Sequence, residues 1–209
     1  MKKGGKSMKK WTGIILVMVM CLVLVGAAAN TWTVPRNNGS SSNSGNNSYG
    51  YSTTAKLTDD LATRSGPSTT YTGCGTYKMK GKTVTVLKRA FDNGGVQWAE
   101  VEFEYNGGYR RAWTGVKRLS ISSSSLASLP EETGDSFIGY GTFNGQVSPR
   151  FGPSSMHATY GDRTYYRGNQ VAVIDAENGY YLVESLITEK DGKERILRSW
   201  VPEDKVNVN

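Results

Sequence analysis

The sequence has only one histidine and two cysteines, and this scarcity leaves little material for catalysis or metal binding. Cys74 is the only thiol after the apolar run near the N-terminus, so no intramolecular disulfide is available to the rest of the chain. We interpret Cys74 as a small buried apolar residue and His157 as an exposed loop residue. No pair of Cys or His has zinc-ligand spacing, and no Gly-x-Ser-x-Gly elbow occurs. We therefore predict no catalytic residue, no enzymatic activity, no metal and no cofactor.

Three glutamates, Glu100, Glu102 and Glu104, alternate along one predicted strand and so share a face. Such a group suggests acid–base chemistry or a calcium site. A two-residue hairpin turn at Asn106 places Arg111 opposite Glu102, however, and a turn one residue later places it opposite Glu104. We therefore favour a solvated ladder of ion pairs between neighbouring strands.

A formal charge of +7 suggests nucleic-acid binding, but the charge is unevenly spread. Five lysines precede Asn30, and without them the chain carries only +2. Residues 55–119 carry +5 and residues 130–209 carry −4. A surface that follows phosphates needs Lys and Arg clustered over a whole face, so we predict no nucleic-acid partner.

Long apolar runs are also absent except for one at the N-terminus. Residues 1–29 combine five lysines, an uncharged run from Trp11 and a small-residue ending at Ala29. This pattern is typical of a secretory signal peptide, and the run is also long enough for an N-terminal membrane anchor. Both alternatives predict a secreted or membrane-anchored protein with its C-terminal part outside the cytoplasm, and residues 11–29 contact the membrane if they are not cleaved.

Two segments have the composition of connectors. Residues 30–54 are mostly Ser, Asn, Gly and Thr, which bury too little apolar surface to offset the entropy lost on folding. They predict a disordered linker. Residues 121–136 include a serine run and Pro130 and predict a second linker. The remaining segments, 55–120 and 137–207, are the predicted folded domains.

These two predicted domains resemble each other. Four blocks recur in the same order at offsets of 82 to 87 residues: 64–68 as 150–154, 80–87 as 167–174, 98–102 as 180–184, and 111–113 as 198–200. Ordered blocks at a nearly constant offset indicate an internal duplication. In this alignment Tyr160 answers to Tyr71 after a three-residue insertion.

Within each unit the local pattern predicts strands. Residues 84–87 and 171–174 are short β-branched runs, and residues 98–105 place Trp98 out of phase with Val101 and Phe103. Turns rich in Asn and Gly separate the runs. About five short strands that close into a small barrel leave no exposed sheet edge, so a barrel is the expected fold of each unit.

The motifs Arg-Ser-Gly-Pro-Ser-x-x-Tyr at 64–71 and Lys-Gly-x-x-Val-x-Val-Leu at 80–87 resemble the bacterial SH3-like (SH3b) domain family. The resemblance covers residues 57–119 well and 137–206 more loosely. It implies an all-β chain with two small SH3-like barrels in tandem, after an N-terminal hydrophobic helix and a disordered linker. It also implies a non-catalytic binding protein of the cell envelope.

Aromatic side chains are the best candidates for a binding surface, because small barrels cannot bury so many. The predicted ligand-binding residues are Tyr71, Trp98, Tyr109, Trp113, Tyr160, Tyr180 and Trp200. Trp98 and Trp113 fit a core position equally well. The ligand that the resemblance implies is peptidoglycan or one of its peptides. The alternative is an interaction or scaffold protein whose domains bind another envelope protein, or each other through their opposite charges.

Overall fold

The computed structural model describes residues 51–134 and 136–209. The predicted leader at 1–29 and residues 30–50 of the predicted linker lie outside these ranges. The described part is all-β, as predicted, and contains two sheets. We refer to residues 51–134 as the first lobe and to residues 136–209 as the second lobe. Both lobes belong to one compact unit of the chain.

Within the first lobe, seven strands form one antiparallel sheet in the spatial order β3-β2-β6-β5-β4-β1-β7. The strands are β1 (Thr53–Leu57), β2 (Leu61–Arg64), β3 (Gly73–Tyr77), β4 (Thr83–Phe91), β5 (Gln97–Tyr105), β6 (Gly108–Gly115) and β7 (Leu119–Ser120). Asn106 and Gly107 both have positive φ, which gives the tight turn that joins β5 to β6. This turn fixes the register in which Glu102 lies opposite Arg111.

Five strands of the second lobe form a sheet in the order β11-β10-β9-β8-β12. The strands are β8 (Gly139–Phe143), β9 (Gln170–Glu177), β10 (Tyr180–Thr188), β11 (Glu194–Pro202) and β12 (Val206–Val208). This order repeats β6-β5-β4-β1-β7 of the first lobe strand for strand. A short 3-10 helix also precedes the last strand of each lobe, at Val116–Arg118 and Glu203–Lys205. The two strand orders agree with the duplication inferred from the sequence.

Each sheet has a bulge at the same place. Leu87 in β4 and Ile174 in β9 are extra residues in the pairing with the neighbouring strand. A bulge bends a strand and changes which face its later residues occupy. Val86 therefore packs in the main core of the first lobe, whereas Ala90 packs in a separate cluster with Trp113.

Apolar side chains of alternating positions fill one core in each lobe. In β5, Val101 and Phe103 face the first core while Trp98 faces the other side, as the sequence pattern predicts. The second core contains Phe143, Val173 and Val201, among others. The opposite face of each sheet carries buried tryptophans and buried charged residues, and some of the charged residues contact the other lobe.

The segment 121–136, predicted as a linker, includes ordered structure. Ser122 caps a five-residue helix, α1 (Ser123–Ala127), by accepting a hydrogen bond from the backbone of Ser125. Leu126 and Leu129 then pack in the core of the first lobe. Backbone hydrogen bonds from β4 hold the residues that follow, with Glu132 N–H donating to Arg89 C=O at 2.8 Å. Among the residues of both lobes, no helix is long and apolar enough to cross a membrane.

Candidate functional site

Backbone hydrogen bonds join the two lobes directly. The N–H of Tyr109 donates to the carbonyl of Met156 at 3.3 Å, and the carbonyl of Tyr109 accepts from the N–H of Ala158 at 2.9 Å. Tyr109 lies at the start of β6, and its two partners lie in the loop after β8. The pairing extends the first sheet by one short strand-like segment from the other lobe.

A second pair of backbone hydrogen bonds repeats this pattern with the lobes exchanged. The N–H of Ile196 donates to Thr70 at 3.1 Å, and the carbonyl of Ile196 accepts from Thr72 at 2.9 Å. Thr70 and Thr72 precede Met156 and Ala158 by 86 positions, and Ile196 follows Tyr109 by 87 positions. The lobes therefore use the same patch twice, which is the pattern of a two-fold symmetric contact.

Buried ion pairs fill the space beside the first of these backbone contacts. The guanidinium of Arg111 donates to Glu102 at 2.9 Å within its own hairpin and to Glu177 of the second lobe at 2.9 Å. Nε2 of His157 donates to the same Glu102 at 3.1 Å, and its Nδ1 lies 2.8 Å from Oγ of Ser154. The prediction that His157 is an exposed loop residue is wrong, since only 4% of it is exposed.

The second contact contains the equivalent set. Arg198 pairs with Glu184 at 2.8 Å, and the hydroxyl of Tyr71 donates to Glu184 at 2.8 Å across the lobes. Arg198 also lies 3.5 Å from Glu132 of the connecting segment. Tyr71 thus occupies the place that His157 occupies on the other side, with each ring bonded to a glutamate of the opposite lobe.

The Gly-Pro turns explain how these two rings reach the contact. A Cβ atom on Gly66 would clash with the ring of Tyr71, and one on Gly152 would clash with the ring of His157. Only glycine permits such close packing of a ring on the backbone. His157, 86 positions after Tyr71, is therefore its counterpart, and the assignment of that role to Tyr160 is wrong.

The predicted pairing of Glu102 with Arg111 is confirmed. The prediction that the glutamates are exposed to solvent is wrong for two of the three. Glu100 and Glu102 are buried at the lobe contact, and only Glu104 is exposed. Burial raises the pKa of Glu100 to about 7, with a further rise from Glu132, while the charge of Lys88 opposes the shift. A carboxyl with this pKa is partly protonated at neutral pH.

The structure places the seven predicted ligand-binding residues in several different environments. Trp98, Trp113, Tyr160 and Trp200 are buried, Tyr71 and Tyr180 are half-buried, and Tyr109 is 38% exposed. Trp113, at 1% exposure, packs with Trp98 in a cluster of the first lobe, whereas the guanidinium of Arg111 lies 5.9 Å over the ring of Trp200. The seven side chains therefore do not line one open groove.

A cleft of about 930 Å³ lies between the lobes, and its lining includes Thr72 of the second backbone contact. We call it the interlobe cleft. Its lining includes Thr72, Cys74 and Arg110 from the first lobe and Phe151, Tyr160 and Glu189 from the second. Of the seven predicted residues, the lining includes only Tyr160. Its size is within the range of small-molecule and peptide sites.

Three buried polar atoms on residues that line this cleft have no hydrogen-bond partner among the described residues. They are Oγ1 of Thr72, Nε of Arg110 and Oε1 of Glu189, and they are all the buried side-chain polar atoms of this kind in residues 51–134 and 136–209. Thr72 is only 2% exposed. Buried polar groups almost always have partners, so their concentration in one cleft requires an explanation.

The floor of the cleft is aromatic and chemically inert. Phe151 and Tyr160 stack with ring centroids 3.8 Å apart, and the hydroxyl of Tyr160 lies 3.6 Å from Sγ of Cys74. Burial raises the pKa of Cys74 to about 12, so almost no thiolate forms at neutral pH. Cys74 packs against the core of the second lobe, in agreement with its interpretation as a small apolar residue.

Sequence reasoning missed the polar residues of this cleft. Thr72, Arg110 and Glu189 come from separate parts of the chain, and none belongs to a motif. Within the described ranges, no group of three or more His, Cys, Asp or Glu side chains is arranged to hold a metal ion. Neither a protein-family model nor a curated protein matches this chain.

Proposed function

We propose that this chain is a non-catalytic binding protein of the cell envelope that holds a cell-wall peptide or glycan in the interlobe cleft. In this proposal each lobe is an SH3-like module, and the two modules act as one binding unit. The N-terminal residues 1–29 export the chain as a signal peptide or hold it in the membrane as an anchor. The C-terminal part then acts outside the cytoplasm.

The observation that carries the proposal is the set of unpartnered polar atoms on Thr72, Arg110 and Glu189. Leaving a buried donor or acceptor without a partner costs about 1–3 kcal/mol. A polar ligand that enters the cleft recovers this cost by supplying the missing partners. The atoms include a donor, an acceptor and a hydroxyl, which suits a ligand with both amide and carbonyl or hydroxyl groups.

The absence of catalysis is supported by the state of the reactive side chains. The high pKa of Cys74 keeps its sulfur protonated, so it is a poor nucleophile. Both ring nitrogens of His157 have partners, and the ring is covered by the opposite lobe. Neither group is therefore available to attack or deprotonate a substrate in the cleft.

Retention on purified peptidoglycan sacculi tests this proposal. The full chain in mild detergent is mixed with sacculi at moderate salt, next to the variant Arg110→Gln and the control Arg167→Gln. Arg167 is an exposed arginine outside the cleft. We expect the wild type and the control to sediment with the sacculi and Arg110→Gln to remain largely in solution. If neither the wild type nor the control sediments, the wall-binding proposal is wrong.

A second candidate function is binding to another envelope protein, and an exposed apolar patch favours it. Phe137, Ile138 and Tyr140 are each at least half exposed, and the rings of Phe137 and Tyr140 lie 5.1 Å apart. Exposed apolar patches of this kind often mark contact surfaces. Crosslinking in whole cells tests it: a specific crosslinked product should disappear in Tyr140→Ser and persist in Tyr166→Ser, a control at another exposed tyrosine.

A further inference from the structure

The charges around the interlobe cleft are unequal. Five basic side chains line it: Arg64, Arg110, Arg163, Lys190 and Arg195. Three carboxylates line it: Asp162, Glu189 and Asp191. The lining therefore carries two more positive than negative charges. A ligand that neutralises this excess has at least one anionic group.

Two of the arginines already have carboxylate partners. Arg163 pairs with Glu189 at 3.2 Å, and Arg195 lies 3.9 Å from Asp191. Arg64 and Arg110 form no ion pair with any residue of the described ranges 51–134 and 136–209. Lys190 forms no ion pair within these ranges either, so two guanidiniums and one ammonium group carry the charge that is available to a ligand. A guanidinium is well suited to a carboxylate, because its N–H groups match the two oxygens.

Both arginines are held in place before any ligand arrives. Nη1 of Arg64 donates to the backbone carbonyl of Tyr71 at 2.7 Å, and Nη1 of Arg110 donates to that of Tyr105 at 2.6 Å. The guanidinium of Arg110 also lies 5.3 Å over the ring of Phe151. Binding then costs little side-chain entropy, which increases affinity. The Nε–H of Arg110 remains without a protein acceptor.

Glu189 provides a complementary group. Its Oε2 accepts from Arg163, whereas its Oε1 is buried and has no donor. A carboxylate oxygen can only accept, so its missing partner is an N–H or O–H group of the ligand. The ligand must therefore combine an anionic acceptor for the arginines with a donor for Glu189.

We propose that the interlobe cleft takes a short peptide whose carboxylate contacts Arg64 and Arg110 and whose N–H group donates to Oε1 of Glu189. This inference rests on the proposed wall-binding function and narrows its ligand from peptide or glycan to peptide. A neutral glycan offers donors and acceptors but leaves the excess positive charge unbalanced.

Binding of soluble sacculus fragments tests the ligand class. Fragments released by a muramidase are measured by titration calorimetry with the full chain in mild detergent. They are compared with the same fragments after carbodiimide and ammonia have converted their carboxylates to amides, and with glycan from which the peptides have been cleaved and whose freed carboxylates have been amidated in the same way. We expect amidation to weaken binding about tenfold or more, because charge-assisted hydrogen bonds to the arginines are lost. We expect no binding of the peptide-free glycan.

Variants locate the effect in the cleft. Arg110→Gln and Arg64→Gln should each bind untreated fragments more weakly and lose much of the preference for untreated over amidated fragments. Arg167→Gln should retain that preference, and thermal unfolding checks that each variant is folded. Equal affinity of the wild type for untreated and amidated fragments, or equal binding of peptide-free glycan, would overturn the peptide assignment alone. If no preparation binds, the wall-binding function itself is wrong.

Discussion

Replacing Thr72 with valine removes a buried hydroxyl that has no partner in the protein and leaves the shape of the side chain almost unchanged. The unsatisfied hydroxyl costs about 1–3 kcal/mol in the folded state, and valine does not carry this cost. The backbone hydrogen bond from Thr72 to Ile196 remains intact. We therefore expect Thr72→Val to increase the free energy of unfolding by about 1–2 kcal/mol, which raises Tm by about 2–4 °C per kcal/mol in a protein of this size.

Thr114 provides a matched control. It is fully buried, but its hydroxyl donates to the carbonyl of Ala62 at 2.9 Å. Thr114→Val should therefore decrease the free energy of unfolding by about 1 kcal/mol. Urea unfolding of the full chain and both variants measures the two effects, and an unchanged m-value shows that the extent of unfolding is the same. The two substitutions are chemically identical, so opposite signs can only come from their surroundings.

A destabilised Thr72→Val would refute this reasoning. That result would mean that a bound water already satisfies the hydroxyl in the free protein, and the cleft would then offer a ligand no uncompensated group at this position. Greater stability combined with weaker sacculus retention is the result that the proposal requires. It would show that the wild-type residue is kept for binding at the expense of stability.

Three further predictions concern the lobe contact and the cleft floor. Gly152→Ala should destabilise the chain by about 2 kcal/mol or more, because its Cβ meets the ring of His157, whereas Gly145→Ala, which meets nothing within 4 Å, should change thermal unfolding little. Because the pKa of Glu100 is raised to about 7 in the folded state, stability should fall as pH rises from about 4.5 to 7. Glu100→Gln should remove much of this fall and raise Tm at pH 8, and a Tm profile parallel to that of the wild type at all pH values would contradict the argument. Cys74, with its pKa near 12, should react with iodoacetamide at pH 8 far more slowly than in urea; equal rates would show that the thiol is accessible and ionised.

The strands were the predictable part of this fold, because their signals are local. Alternation placed Val101 and Phe103 on the core side of β5 and Trp98 on the other side, and the structure confirms this. The turn at Asn106 was recognisable from its preference for positive φ. Both bulges were missed, since an extra apolar residue such as Leu87 fits the apolar pattern of a regular strand.

The contact between the lobes was not predictable in the same way. It joins residues that are far apart in the chain. Glu102 and Arg111 are buried where they meet the second lobe, and local sequence patterns carry no information about that surface. His157 is an exception, because its position 86 residues after Tyr71 was visible in the sequence. The sequence alignment matched Tyr71 to Tyr160 because both are tyrosines. At this position the fold requires only a ring whose polar atom reaches a glutamate of the other lobe, and His157 meets that requirement. The cleft residues carry no periodic signal, so only the assembled lobes bring them together.

The short chain between the lobes affects how strong their contact needs to be. Glu132 is bonded to β4, and Ile138 is bonded to Val173 in β9, so only six residue steps separate two anchored points. A fully extended chain covers about 3.3–3.6 Å per residue, which limits the separation of these points to about 20 Å. Such a tether keeps each lobe at a local concentration in the millimolar range or above for the other. A contact rich in buried charges therefore needs less intrinsic affinity to hold the lobes together and keep the cleft formed than it would need to join two separate chains.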